Sequence, residues 1–496
     1  MLSKFNPIFL LFLFAIFVSS ILCLKNYEEK LITFYEEVDG TPTVITKSAK
    51  KNGELIVLAH GFAGSTSFMR SLAVSLASAG HTTIRFDFLG HGKNGIPFSG
   101  NVRDINGPTI GFIAQLNAVI DHYKKKYKYS EVSLIGHSMA SDIIIRSAKS
   151  RNDIKTVIGI STYSNIVPED NFPHLLVLNG EWESNLIKKT DEIFAGMGFV
   201  NPRKNQTYIS RVSGNERRME VIEGADHVGI LYFSKTQSSI KNWFKNLGFS
   251  VDYQSNNQMG IWLITALSSL FFIVILGIKY LPTKKVGTIK VKISRLVSII
   301  LFSSITLPIV LSSYSIEFLE FPVQNYLLNF FLFMSLSLYF FVPFKFSGKF
   351  GDHFSLPILF FLTFLYLFCF GGLLDNYVSS YFIDGDRLPI FLLLLVPCVL
   401  FFSIVQMIYE LGEKGWYLAN LLKFSVIISL SISVYLNFQK LFLLGYAIVI
   451  FLAFCLLFGF LSNFLARRYS NFLSTGFANG IVLAWSFSSA IPLYAH

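Results

Sequence analysis

Cysteine is scarce in this chain, with four in 496 residues: Cys23, Cys369, Cys398 and Cys455. Each lies inside a hydrophobic segment, and none falls between residues 25 and 258. That stretch therefore has neither a disulfide framework nor a cysteine metal site. Charge is also sparse, at 15% of residues, and the net +11 is spread along the chain. No basic face of the kind that binds nucleic acid is implied. Histidines and carboxylates form no group with metal-ligand spacing, so no metal and no cofactor is expected. The apolar half shows no fixed-period repeat, and ionisable residues are almost absent from the middle of its apolar runs.

What the chain has in excess is apolar and aromatic: 52 Phe, with 52% hydrophobic residues. Such a composition belongs to a membrane protein. The excess is uneven. Residues 25–258 are mixed and charged, whereas 259–496 are dominated by apolar runs of spanning length. At the N-terminus, Lys4 precedes roughly 18 apolar residues, longer than most signal-peptide cores and without a clean cleavage site. An uncleaved anchor over 1–24 is favoured over a cleaved signal. Further spans are expected near 260–281, 296–314, 326–344, 356–374, 388–408, 422–437, 441–463 and 472–491, an all-α polytopic bundle of about eight helices. Asn329 and Gln406, inside these runs, read as interhelical hydrogen-bonding residues.

Lysine and arginine set the orientation. With Lys4 cytoplasmic, so are Lys284, Lys285, Lys290, Lys292, Arg295, Lys345, Lys349, Lys414, Arg467 and Arg468. The opposite loops carry Glu317, Glu320, Asp375, Asp384 and Asp386, with Arg387 and Lys440 as exceptions. The charged domain, 25–258, is then extracytoplasmic, on a multi-pass protein of the plasma (cytoplasmic) membrane.

Within that domain, short β-forming runs end in glycine or turn residues: 54–60, 82–88, 131–137, 154–161, 174–180 and 217–224. Helical patterns at 66–79, 109–126, 139–149, 186–197 and 236–246 lie between several of them. Alternation of this kind implies a mostly parallel sheet with helices on both faces. Ligands then bind outside the carboxyl ends of the strands.

The informative motifs sit at such ends. Gly136-His137-Ser138-Met139-Ala140 follows one strand and opens a helix. Small residues flanking a serine in a tight strand-to-helix turn project its hydroxyl as a nucleophile; here Ala140 replaces the usual second glycine. His60-Gly61-Phe62-Ala63-Gly64-Ser65 follows the first of these runs, and the N–H groups of Phe62 and Met139 can form an oxyanion hole. Gly224-Ala225-Asp226-His227 places a late histidine after the last run, where a general base arrives. Gly180-Glu181-Trp182-Glu183 precedes it and supplies the acid. Glu183 is favoured to orient the imidazole, with Glu181 the near rival and Asp170 and Asp191 more remote ones.

Together HGFAGS, FDFLGHG, GHSMA, NGEWE and GADH resemble the α/β-hydrolase superfamily, in that family's order, over roughly 50–247. The resemblance implies that Ser138 forms an acyl-enzyme, that His227 relays the proton and that water resolves the ester. It also implies that Asp87-Phe88-Leu89-Gly90-His91-Gly92 is a structural turn, with His60 and His91 shaping loops. Only residues 162–174 stand where many such enzymes insert a lid, too short for a lid domain. Small or protruding acyl substrates are favoured over those of interfacially gated lipases. The expected function is a membrane-anchored serine hydrolase cleaving ester-type bonds of a small-molecule or lipid acyl substrate, with the bilayer as its other partner. An acyltransferase fed by the bundle and a non-catalytic scaffold or sensor are the rivals. Peptidase activity stays open, and the sequence leaves the oligomeric state undetermined.

Overall fold

The structure, a computed structural model, describes residues 7–49, 53–101, 104, 107–249, 256–280, 289–347, 350–468 and 471–495. Lys4, Lys284, Lys285 and Lys349 lie outside the described residues.

The first half folds around strands β1 (Leu31–Val38), β2 (Thr41–Ser48), β3 (Leu55–Ala59), β4 (Thr82–Phe86), β5 (Phe98–Ser99), β6 (Val132–His137), β7 (Ile154–Ile160), β8 (His174–Gly180), β9 (Thr207–Ile209) and β10 (Glu216–Ile222). All but β5 form one nine-stranded sheet in the order β1-β2-β4-β3-β6-β7-β8-β10-β9. From β4 to β10 the neighbours run parallel; β2 and the edge strands β1 and β9 pair antiparallel. The central strands are buried along their whole length, so β3 reads Leu-Ile-Val-Leu-Ala instead of alternating. That is the pattern of a sheet covered on both faces. One face, with Val57, Leu134 and Val157, packs on residues of the helices Gly107–Tyr127 and Met139–Lys149. The other, with Ile56, Leu58 and Ile135, packs on residues of Arg70–Ser78 and Ser234–Asn246.

The hairpin of β1 and β2 is absent from the sequence expectations. Its turn, Asp39-Gly40, has φ of 48° and 75°. Two positive φ values in a two-residue loop match the primed hairpin turns that Asp-Gly favours.

Among the described residues, eight helices are long and apolar enough to cross a membrane: Pro7–Asn26, Met259–Tyr280, Ile293–Ser313, Pro322–Phe341, Gly351–Tyr377, Leu388–Tyr409, Glu413–Leu436 and Leu444–Ala466. Another helix, Phe472–Ala490, is less apolar and largely buried. A Cβ on its Gly476 would lie 2.6 Å from the Ser403 Cα, and one on Gly480 2.4 Å from the Val399 Cα. These glycines let two helix backbones touch, as small residues four apart do inside bundles.

Two sequence expectations need correction here. The apolar run placed at 422–437 belongs to a longer helix, Glu413–Leu436, so Lys423 is a mid-helix cation. It is buried, and its Nζ donates to the Tyr409 hydroxyl at 2.8 Å. Asn329 does not bridge helices. It holds the loop before its own helix, donating to the Ile316 carbonyl at 2.9 Å and accepting from the Ile316 N–H at 3.3 Å. Gln406 does reach another helix, donating to the Ser462 carbonyl at 3.3 Å.

Successive helices reverse direction, which puts 378–387, 437–443 and 491–495 at the end that meets the sheet domain. Tyr494–Ala495 pairs in parallel with β5, and the Leu493 N–H donates to the Gly90 carbonyl at 2.8 Å. Arg387, an exception in the charge pattern, is buried and donates to the carbonyls of Gly90 (2.9 Å), Ser488 (2.8 Å) and Ile491 (3.0 Å). At the far end, Ile289–Lys290 pairs with Lys345–Phe346, and Ile289 clusters with Met407 and Phe472.

Candidate active site

β6 ends at His137, and the chain turns into the helix Met139–Lys149 through Ser138 alone. Ser138 has φ 53° and ψ −119°. Only close approach permits such a turn. A Cβ on Gly136 would meet the Ala140 carbonyl oxygen at 2.6 Å, and one on Gly61 would lie 3.0 Å from the Ser138 Cβ. Ala140, the departure from the usual pattern, is fully buried.

The acid and histidine loops cross beside it. The Trp182 N–H donates to the Ala225 carbonyl at 3.2 Å and the Glu181 N–H to that of Ile222 at 3.0 Å. This brings His227 Nε2 to 2.9 Å from Ser138 Oγ, and His227 Nδ1 to 2.5 Å from Glu183 Oε1. The other Glu183 oxygen accepts from the Gly180 N–H at 2.6 Å and the Ser161 hydroxyl at 2.9 Å. Burial pushes the Glu183 pKa up, but the hydrogen bonds from His227, Gly180 and Ser161 outweigh it and the net shift is downward. The carboxylate therefore stays charged beside the imidazole. The rivals are elsewhere: Glu181 accepts from the Gly224 N–H at 2.8 Å, shaping the turn, and Asp170 accepts from Ser210 and Ser213. Asp191 lies on the helix Ser184–Gly196.

Two orienting residues were not anticipated. Ser161, directly after β7, holds the second Glu183 oxygen; its place at a strand end is the signal that could have found it. His137, beside the serine in the motif, is buried, and burial lowers its pKa to about 4. The neutral ring donates from Nε2 to the His227 carbonyl at 2.8 Å, fixing the backbone of that loop.

His60 and His91 shape loops, as the resemblance implies. His60 accepts from the Phe88 N–H at 3.1 Å and donates to the Gly61 carbonyl at 2.7 Å. His91 donates to the Leu89 carbonyl at 2.7 Å. Asp87 accepts from the N–H groups of Thr66 (2.6 Å) and Lys93 (2.9 Å). Among the described residues no group of three or more His, Cys, Asp or Glu is placed to hold a metal ion.

Ser138 opens onto a cavity of about 340 Å³ lined by Phe62, Phe98, Phe112, Met139, Ile143 and Phe442, with Asp104, Asp142 and Tyr163 among the polar members. Phe62 and Met139, the two expected oxyanion donors, thus border the same space as the serine hydroxyl. Asp142 is already paired, with Arg146 at 2.6 Å and the Ser164 hydroxyl at 2.6 Å. Residues 162–173 hold no helix or strand. Cover comes from the helical half instead. The Phe442 ring packs at a tilt 6.2 Å from that of Phe62, Tyr446 donates to the Ala63 carbonyl at 3.4 Å, and Ser65 Oγ accepts from the Ser380 N–H at 2.9 Å.

Residues 50–228, which hold Ser138, Glu183 and His227, match the family model of serine aminopeptidases of family S33, a group of α/β hydrolases. The solved structures to which the chain is similar include the following three. An epoxide hydrolase mutant of Vigna radiata is 19% identical over 28% of this chain and 41% of that one, with a TM-score of 0.23. Dienelactone hydrolase of Anabaena variabilis is 15% identical over 44% of this chain and 98% of that one, at 0.33. TT1662 of Thermus thermophilus is 16% identical over 44% and 97%, at 0.34. No curated protein matches the chain significantly.

The geometry predicts a non-additive set of losses in ester turnover. Ser138→Ala and His227→Ala should each remove about 10⁴-fold or more, and the double variant should be hardly worse than either. Glu183→Gln should retain more activity than either, and Glu181→Gln should be near wild type. A folded Ser138→Ala protein turning over esters at the wild-type rate would exclude this site.

Proposed function

We propose that this chain is a bilayer-embedded serine hydrolase that cleaves an ester-type acyl bond. The observation that carries the proposal is the continuous relay from Glu183 through His227 to Ser138, ending in an apolar cavity. Ser138 Oγ attacks the acyl carbon while His227 Nε2 takes its proton. The negative charge that develops on the carbonyl oxygen is received by the Phe62 and Met139 N–H groups, each such donor typically contributing about 3 kcal/mol. His227 then protonates the leaving alkoxide, and an ester to Ser138 remains. Water, deprotonated by His227, attacks that ester; the bond from Ser138 Oγ to the acyl carbon breaks, Oγ takes the proton back from His227, and the acid is released. Glu183 steadies the imidazolium in both halves.

The S33 match raises amide cleavage at a peptide N-terminus as a second reading. Two carboxylates, Asp104 and Asp142, border the cavity, and Asp142 is paired with Arg146. The mainly apolar lining favours an acyl chain. Transfer of the acyl group to a membrane-borne acceptor is a third reading, favoured by Phe442: a residue of the helical half stands in the wall of the cavity. The intact relay argues against a scaffold without activity.

We further propose that all nine long helices cross the bilayer and that the sheet domain is extracytoplasmic. The positive residues at the far end support this orientation. A reporter active only outside the cytoplasm should work when fused at residue 250 and be silent at residue 288. The reverse pattern would overturn the orientation.

On nitrophenyl esters of increasing acyl length, turnover should peak at short to medium chains, since the cavity is about 340 Å³. Phe442→Ala should move the optimum to longer chains, changing the ratio of kcat/KM values by about tenfold or more. Amino-acid anilides should be poor substrates. If they are cleaved faster than every ester, the reading moves to an aminopeptidase.

A further inference from the structure

A second cavity, about 760 Å³, lies away from Ser138 on the rim of the helical half. Its walls are the end of the helix Ile293–Ser313, the start of Pro322–Phe341, the loop between them and the short helix Phe438–Leu441. The lining is graded. Glu317, Glu320 and Lys440 stand at the end that meets the sheet domain, while Leu307, Val310 and Phe333 lie deeper. At 1.5 Å rise per residue, Leu307 is about 9 Å below the end of its helix and Phe333 about 16 Å below the start of its own. Charge above an apolar trough of that depth is the profile of one phospholipid leaflet.

The charged rim is built in place. Asn325 Oδ1 accepts from the N–H groups of Phe318 (2.9 Å) and Leu319 (3.2 Å), and Asn329 holds both polar groups of Ile316. The loop bearing both glutamates is thereby tied to the helix that follows it. Leu311 and Leu441 are buried beside the cleft, and the hydroxyl of Tyr326, in its wall, meets Ser433 Oγ at 2.5 Å. Lys440 lines the same cleft as the two glutamates, yet no ion pair joins it to either among the described residues. Opposite charges facing one space without pairing suit a guest that carries both signs.

We propose that this cleft binds a zwitterionic bilayer phospholipid with a primary ammonium headgroup. The phosphate faces Lys440, the ammonium faces Glu317 and Glu320, and an acyl chain lies in the trough along Leu307, Val310 and Phe333. A primary ammonium offers N–H donors to two carboxylates; a quaternary one offers none. The inference rests on the helices lying in a bilayer and is independent of the chemistry at Ser138.

The test uses the full-length protein in detergent. Phosphatidylethanolamine, phosphatidylcholine and phosphatidylglycerol with identical acyl chains are compared by native mass spectrometry and by thermal stabilisation. Melting without added lipid shows that each variant is folded. In the wild type, phosphatidylethanolamine should be retained most and stabilise most. Lys440→Gln should weaken retention of all three by about fivefold. Glu317→Gln with Glu320→Gln should abolish the preference for phosphatidylethanolamine over phosphatidylglycerol, and Leu307→Trp, which fills the trough, should reduce retention of all three. Equal retention of the three lipids by the wild type would overturn the proposal. So would a preference for phosphatidylethanolamine that survives loss of both carboxylates.

Discussion

A serine at φ 53° and ψ −119° is strained by about 1–3 kcal/mol and persists only where its surroundings permit no other path. Those surroundings are the crowding of Gly61, Gly136 and His137 around one residue. Gly136 runs against the Ala140 carbonyl, Gly61 against Ser138 itself, and the buried His137 ties the histidine loop to β6. The short step from β6 into its helix leaves the hydroxyl only one direction, outward to His227. The hydrogen bonds from Ser138 through His227 to Glu183 follow from that turn.

The turn is held from above as well as below. The loops carrying Phe62, Ser65 and Gly90 would end in open solvent if the sheet domain stood alone. Here they are hydrogen-bonded to 380, 387, 446 and 493, residues more than 280 positions away in sequence. Arg387 is the most constrained of these contacts. A buried guanidinium is costly unless it is hydrogen-bonded, and three carbonyls from both halves accept from its two terminal nitrogens. The helical half therefore packs on the loops beside Ser138, and its Phe442 stands in the wall of the cavity there.

Much of this was legible in local sequence. Continuous β-branched runs closed by glycine gave the parallel strands, because burial on both faces removes alternation. The motifs at strand ends located Ser138, His227 and the acid loop, since that topology gathers strand ends at one edge. Glu183 and Glu181 could only be ranked: both follow β8, and the choice depends on how the loop crosses residues 222–225. The β1–β2 hairpin was legible in Asp39-Gly40 and went unread. Other features left no local trace. A two-residue strand at 494–495 has no pattern of its own, Phe442 is one phenylalanine among many, and Ser161 is an ordinary serine until β7 is seen to end there. The span expected at 422–437 misses the start of its helix because Glu413, Lys414 and Asn420 dilute the apolar signal over the first turns.

Ser138 as a nucleophile can be read directly on the protein with its helical half in place. The most direct measurement is mass-spectrometric mapping of a fluorophosphonate adduct on the whole chain in lipid nanodiscs. The account predicts a single adduct, on the peptide that contains Ser138. An unmodified Ser138, in protein that hydrolyses esters under the same conditions, would contradict it.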